Sequence, residues 1–324
     1  MSAPATPSET SNRSVIRTVK GDIAPDRLGI CHMHDHLLAA PPEPYAKQDP
    51  DLVVQSEAAA TKELLYFAEA GGRALVEMTT RDYNRNASGL LRLSETTGVH
   101  IIATTGLHKH KFSAPYAESQ TVEALAELFM REVEEGIEGS AIRAGVIKAA
   151  SSLDAMTPAE TKVFQAAARA HRATGALVST HTEAGTMALE QIALLRAEGV
   201  HPSRILIGHL DRKLDWEYHL QIARTGVFLG YDHIGKEKYH PDSHRVTFIS
   251  QLIAEGFGRQ IVCSLDLARR SYWPSYGTGG GPGLTYLLWR FMPWLREQGV
   301  AESAIQDMMI HNPARALTLH APRP

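Results

Sequence analysis

The feature that most constrains this chain is an alternation. Short apolar runs, each followed by a stretch with helical spacing, recur eight times at 28–38, 74–79, 100–105, 144–148, 176–181, 204–209, 227–232 and 261–266. The runs are near-continuous in Val, Ile, Leu and Ala, as expected of parallel strands buried on both faces by helices. The stretches between them carry helix punctuation. The helix at 57–70 ends at Gly71-Gly72, that at 85–97 ends at Gly98, and Thr157-Pro158 opens an Ala-rich helix that closes near Gly175. A long amphipathic helix is expected from 121 to about 138.

Eight strand-helix units predict an α/β chain folded as a single (β/α)8 TIM barrel, and 324 residues suit one such barrel. The predicted domain is 21–324, after a short flexible N-terminal tail at 1–20 that is rich in Ser, Thr and Pro. A doubly wound sheet is the competing arrangement, but the first turn lacks a Gly-rich phosphate fingerprint.

Composition excludes several classes of partner. A net charge of −3 gives no pull toward nucleic acid or an anionic membrane. No run approaches the roughly 18 apolar residues of a membrane span. Cys31 and Cys263, the only cysteines, sit inside apolar runs rather than in a disulfide framework. That usage, with no secretory signal, predicts a cytoplasmic protein.

In barrel enzymes the reactive groups collect at the C-terminal ends of the strands. Those positions hold His34 and His36, then Lys148, His181, His209 and Asp266. An H-x-H pair alone also describes ordinary surface histidines, and Asp266 alone describes a helix cap. Jointly, six metal-competent residues at the ends of five strands converge on one axial spot. Imidazole and carboxylate donors suit zinc, and manganese or cobalt accept the same set. Lys148 follows Gly-Val-Ile inside a buried strand, where a lone ammonium is costly. Uncharged, it is able to capture carbon dioxide as a carbamate, an oxygen ligand able to bridge two ions. Two ions so held imply hydrolysis by a bridging hydroxide, with Asp266 both binding an ion and handling the proton.

The motifs His34-Asp35-His36, Gly145-Val146-Ile147-Lys148, Ser179-Thr180-His181-Thr182, Ile207-Gly208-His209-Leu210-Asp211 and Ser264-Leu265-Asp266 resemble the phosphotriesterase-like family of the amidohydrolase superfamily. The resemblance runs from about Asp22 to Leu317. It implies that His34, His36 and Asp266 bind the more buried ion, that His181 and His209 bind the exposed one, and that carbamylated Lys148 bridges both. Leu265 departs from the His that familiar phosphotriesterases and acyl-homoserine lactonases often have there.

The loops after strands seven and eight are similar to those of the phosphofuranose lactonase branch. That similarity implies that Lys238, Arg269 and Tyr272 hold a substrate phosphate. The expected activity is hydrolysis of a lactone or ester, foremost a phosphorylated sugar 1,4-lactone. The alternatives are a phosphotriesterase or acyl-homoserine lactonase, and a non-catalytic sugar-phosphate-binding barrel. The expected partners are a small anionic substrate and, by family resemblance, a second copy in a homodimer. Asp211-Arg212 beside His209 is either a ligand-orienting pair or a surface ion pair. Trp289, Met292 and Trp294 are spaced as barrel-packing residues.

Overall fold

In the computed structural model, which describes residues 14–319, the apolar runs form eight parallel strands. They are β1 (Cys31–Asp35), β2 (Ala74–Glu77), β3 (His100–Gly106), β4 (Ala144–Ser151), β5 (Leu177–Thr182), β6 (Ile205–Ile207), β7 (Phe228–Tyr231) and β8 (Ile261–Cys263). Each pairs with the next in sequence, so the spatial order of the strands from β1 to β8 is their order along the chain. Helices cover its outer face, and their caps follow the sequence. Ser56, Asn86 and Thr121 accept from backbone N–H groups in their first turns, and Thr157 with Glu160 forms a reciprocal capping box.

The strands divide two cores between them by the two-residue period. Met33, Val76, Ile102, Val146, Leu177, Leu206, Phe228 and Val262 fill the barrel interior. Leu75, Ile101, Ile147, Val178 and Ile207 face the helices. Lys148 shares a face with Val146, and His181 with Ser179 and Leu177, so both turn inward above the interior core.

Strand β1 breaks the period. His32 pairs with Leu75 and Asp35 with Glu77, so β1 spends three steps where β2 spends two. This bulge allows Met33 and His34 both to face the axis, which strict alternation forbids.

The last edge, β8 to β1, is closed by a few side-chain and backbone hydrogen bonds rather than by a regular ladder. Ser264 Oγ accepts from the His34 N–H at 3.0 Å and lies 2.6 Å from the His34 carbonyl and 2.9 Å from Asp35 Oδ2. The Asp266 N–H donates to the His34 carbonyl at 3.0 Å, and the Leu267 N–H to Asp35 Oδ1 at 3.0 Å.

Two expectations are corrected. The structured chain begins before residue 21: Ile16–Thr18 pairs antiparallel with Gly21–Ile23, and the fully buried Ile16 joins the interior core beneath the barrel. Residues 1–13, the remainder of the expected flexible tail, lie outside the described residues. Trp289 is 58% exposed rather than packed. It lies in the wide turn Leu287–Phe291, which buries Leu287 and Phe291 and leaves Trp289 outward. Met292 is buried as expected. Among the described residues, no helix is long and apolar enough to cross a membrane.

Replacing Ser264 with Ala strips the seam of its bridging hydroxyl and leaves the His34 N–H without a partner. We expect a loss of about 1–3 kcal/mol in urea unfolding of the metal-free protein. An unchanged midpoint would show that the seam is closed by packing alone.

Candidate metal centre

At the mouth of the barrel the predicted ligands meet. Ring centroids are 5.7 Å apart for His34 and His36, 4.7 Å for His34 and His209, and 4.5 Å for His181 and His209. Asp266 Oδ1 lies 3.3 Å from His36 Nε2 and 3.7 Å from His34 Nε2. Asp266 and His209 reach these places through left-handed backbone, at φ 48° and 60°. Non-glycine residues adopt it at a cost and persist there only when neighbours enforce it. For Asp266 the enforcing contact is its own N–H on the His34 carbonyl.

Three of the four imidazoles have one ring nitrogen bonded to an oxygen, which leaves the other as a lone-pair donor. His36 Nδ1 meets Thr79 Oγ1 at 2.8 Å, and that hydroxyl donates to Glu77 Oε1 at 2.6 Å. His209 Nδ1 meets Asp232 Oδ1 at 2.7 Å. His181 Nε2 meets Glu183 Oε2 at 3.0 Å, and the same carboxylate takes Lys109. The fourth, His34, has both ring nitrogens buried without a hydrogen bond, although Asp232 Oδ2 lies 3.4 Å from Nδ1. A buried imidazole without partners pays a desolvation penalty that a bound cation removes. Ligand atoms of His34, His36 and Asp266 lie within 4.8 Å of one another, as do those of His34, His209 and Asp232. The His34, His36 and Asp266 set therefore fits a divalent ion, while His181 joins no such group among the described residues.

The electrostatics run the same way. Burial lowers the pKa of His34 to about 4, against the pull of Asp232. Burial likewise holds His181 and His233 well below the usual histidine value, so these rings stay neutral. Burial works against an ionised Asp266, but Lys236 foremost outweighs it and the carboxyl falls well below its usual range. Lys148, 1% exposed, donates from Nζ to the Met78 carbonyl at 3.1 Å. Its burial lowers the ammonium pKa despite Asp266, Asp82 and Glu77 nearby. Gly106 makes room for that strand, because a Cβ there would stand 2.0 Å from the Lys148 carbonyl oxygen.

The sequence reading passed over several members of this site. Asp232, directly past β7, occupies the position that singled out the other ligands, and it orients His209. Asp211, weighed for that role, instead pairs with buried Arg245 at 2.7 Å and accepts the His233 N–H at 3.0 Å. His233 Nε2 lies 3.4 Å from Asp266 Oδ2, and its Nδ1 lies 3.1 Å from Asp232 Oδ1. Lys236 is buried, and its Nζ donates to Asp266 Oδ2 at 2.7 Å and to the Asp266 carbonyl at 2.6 Å. No pattern in its loop distinguished it from Lys238.

Lys236 also lines an open pocket of about 480 Å³ between the loops after β7 and β8. Lys238 and Tyr272 line it as well, with Lys238 Nζ 5.3 Å from the Tyr272 ring centroid. Arg269 lies beside that lining rather than in it, near enough to Tyr272 to feel its charge, with Nη1 2.9 Å from Asp49.

Comparison with known proteins gives a consistent picture. The model of the phosphotriesterase family matches residues 14–317. The phospho-furanose lactonase of Mycoplasmopsis synoviae is 34% identical to this chain, over 95% of the chain and 92% of the relative. The N-acetyltaurine hydrolase of Danio rerio is 32% identical, over 94% of the chain and 98% of the relative. The crystal structure of a lactonase from Listeria monocytogenes superimposes with a TM-score of 0.89 at 37% identity, covering 94% of this chain and 99% of that one.

Two outcomes follow. Asp232→Asn should weaken metal retention by about 10–100-fold in competition with a chelator, because His209 loses the partner that fixes its tautomer. The depressed histidines bind fewer protons folded than unfolded, so stability rises with pH across their titration. Stability of the metal-free protein should therefore be full above about pH 6.5, and it should fall as pH drops toward about 4, the folded value of His34. Urea midpoints at pH 7 and pH 5 check this, and equal midpoints would contradict it.

Proposed function

The chain belongs to the phosphotriesterase family, and we propose that it hydrolyses a lactone bearing a phosphate, most simply a phosphorylated sugar 1,4-lactone. The observation that carries this reading is the place of Lys236, which grips the Asp266 carboxylate and lines the cationic pocket with Lys238 and Tyr272. An acyl group at the centre and an anionic tail in the pocket are thus adjacent. The two kinds of curated relative share that demand, since a phosphorylated lactone and N-acetyltaurine each join an acyl carbon to a tail ending in a tetrahedral oxyanion.

His34, His36 and Asp266 would hold one divalent ion and His181 and His209 a second, with Lys148 as the bridge. Zinc is the expected metal. When bound, the ions supply Lewis acidity toward the carbonyl and lower the pKa of water. The chain's own groups do the rest. Lys148, whose burial favours the uncharged amine, would add through Nζ to carbon dioxide and release a proton, giving a carbamate able to supply oxygen ligands. Asp266 stays ionised because Lys236 sits on Oδ2, and it accepts the proton that the attacking water gives up. His233, 3.4 Å from Oδ2, carries that proton outward with Asp232 behind it. On collapse of the tetrahedral species the ring carbon–oxygen bond breaks, and the proton left on the added hydroxyl passes to the leaving oxygen, giving a carboxylate and the free hydroxyl of the opened chain.

Lys148→Ala should remove both metal stoichiometry and activity, and full turnover in that variant would refute the bridge. Arg269→Ala should raise KM at least about tenfold for a phosphorylated lactone and leave an unphosphorylated one nearly unchanged, the loss of one charge-assisted contact worth about 1.5–3 kcal/mol. The deciding experiment compares initial rates of the zinc-loaded enzyme on pentono-1,4-lactones with and without a 5-phosphate, beside N-acetyltaurine, paraoxon and an acyl-homoserine lactone. Preference for the phosphorylated lactones supports the reading. Comparable or faster turnover of the uncharged substrates would return the cationic loops to a solvated rim.

A further inference from the structure

The loop after β8 is held by the loop after β1. Arg269 Nη1 lies 2.9 Å from Asp49 Oδ2 and 3.2 Å from Asp51 Oδ2. Asp51 also accepts the Ser271 N–H at 2.8 Å and the Ser271 hydroxyl at 2.7 Å. Arg270 Nε donates to the Val53 carbonyl just beyond. The gripping loop is itself anchored, because Ala39 and Val54 exchange backbone hydrogen bonds at 2.6 and 2.8 Å and the Ala40 N–H meets the Tyr83 carbonyl at 3.1 Å.

This grip is one-sided. Both carboxylates engage Nη1, and the other donors of Arg269, Nε and Nη2, have no hydrogen-bond partner among the described residues. Ser271, fixed by the same Asp51, directly precedes Tyr272 in the pocket wall. Asp51 remains ionised, since hydrogen bonds from Ser271 and Arg269 outweigh the burial that opposes its charge.

We propose that Asp49 and Asp51 are positioning residues for the anionic end of the substrate: they hold one edge of the Arg269 guanidinium and free the other for an incoming oxyanion. The inference rests on the reading that such a group docks among Lys238, Arg269 and Tyr272. The physical ground is the planarity of the guanidinium. Its donors form a rigid fork, so fixing Nη1 orients the remaining donors, whereas an untethered arginine must lose several torsional freedoms on binding. The carboxylates also cancel part of the local positive charge, which leaves directional hydrogen bonding as the larger part of what Arg269 offers.

The test uses Asp49→Asn, Asp51→Asn and Asp51→Glu in the metal-loaded full chain. The readouts are KM and kcat on a pentono-1,4-lactone with and without a 5-phosphate, and calorimetric binding of the ring-opened 5-phosphate product. Asp51→Asn should raise KM about five- to tenfold on the phosphorylated lactone, leave kcat and the unphosphorylated substrate unchanged, and weaken product binding by the same factor. Asp51→Glu should recover part of that loss. In an Arg269→Ala background, Asp51→Asn should add nothing. Tighter product binding by Asp51→Asn would overturn the proposal, because the carboxylates would then be competing with the ligand. Equal losses on both substrates would also overturn it, by reducing the clamp to loop stability. A wild-type enzyme that does not distinguish the two lactones would remove the parent reading, and this inference with it, before any variant is compared.

Discussion

The contact on which the rest depends is the seam between β8 and β1. A barrel must close, and here its last edge is joined by Ser264, Asp35 and the backbone of His34 and Asp266. Two of these residues are predicted metal ligands. The hydrogen bond that closes the sheet is therefore the one that forces Asp266 into left-handed backbone and turns its carboxylate toward the histidines. Closure of the fold and assembly of the centre are one event, and strain stored at Asp266 is balanced by the connectivity of the whole sheet.

Around that seam the structure solves a charge problem. A centre able to take cations cannot keep its own groups protonated, and burial drives His34, His181 and Lys148 toward their neutral forms. Burial alone would also neutralise the carboxylates. Asp266 and Asp232 escape because each is given a donor, Lys236 for one and His209 with His233 for the other. The histidines are oriented by outer carboxylates and hydroxyls, Glu77 through Thr79, Asp232 and Glu183, which fixes which nitrogen keeps its lone pair.

How much of this was legible in the sequence depended on whether the signal was local. The strand-helix alternation, the cap at Thr157 and the convergence of the strand-end histidines with Asp266 follow from period and position, and the structure places them accordingly. The bulge in β1 was not legible, because an extra residue appears only when a strand is laid beside its neighbour. Nor was the role of Lys236, since three charged residues in a row, Lys236-Glu237-Lys238, look alike until the loop folds one cation inward. Trp289 misled because a wide helical turn rephases the face that spacing assigns. Arg269 was singled out by resemblance alone, and the acidic pair that holds it lies in a loop more than 200 residues earlier, beyond the reach of any local pattern.

The seam also sets an order of events during synthesis. His34 and Asp266 belong to the first and last strands, so no growing chain can present the complete ligand set until β8 has emerged and docked. Any cation held jointly by His34, His36 and Asp266 would consequently be taken up in a late, non-local step, with loop closure across nearly the full chain before it. A partly made barrel would expose His34 and His36 without their carboxylate, a site too weak to sequester metal prematurely.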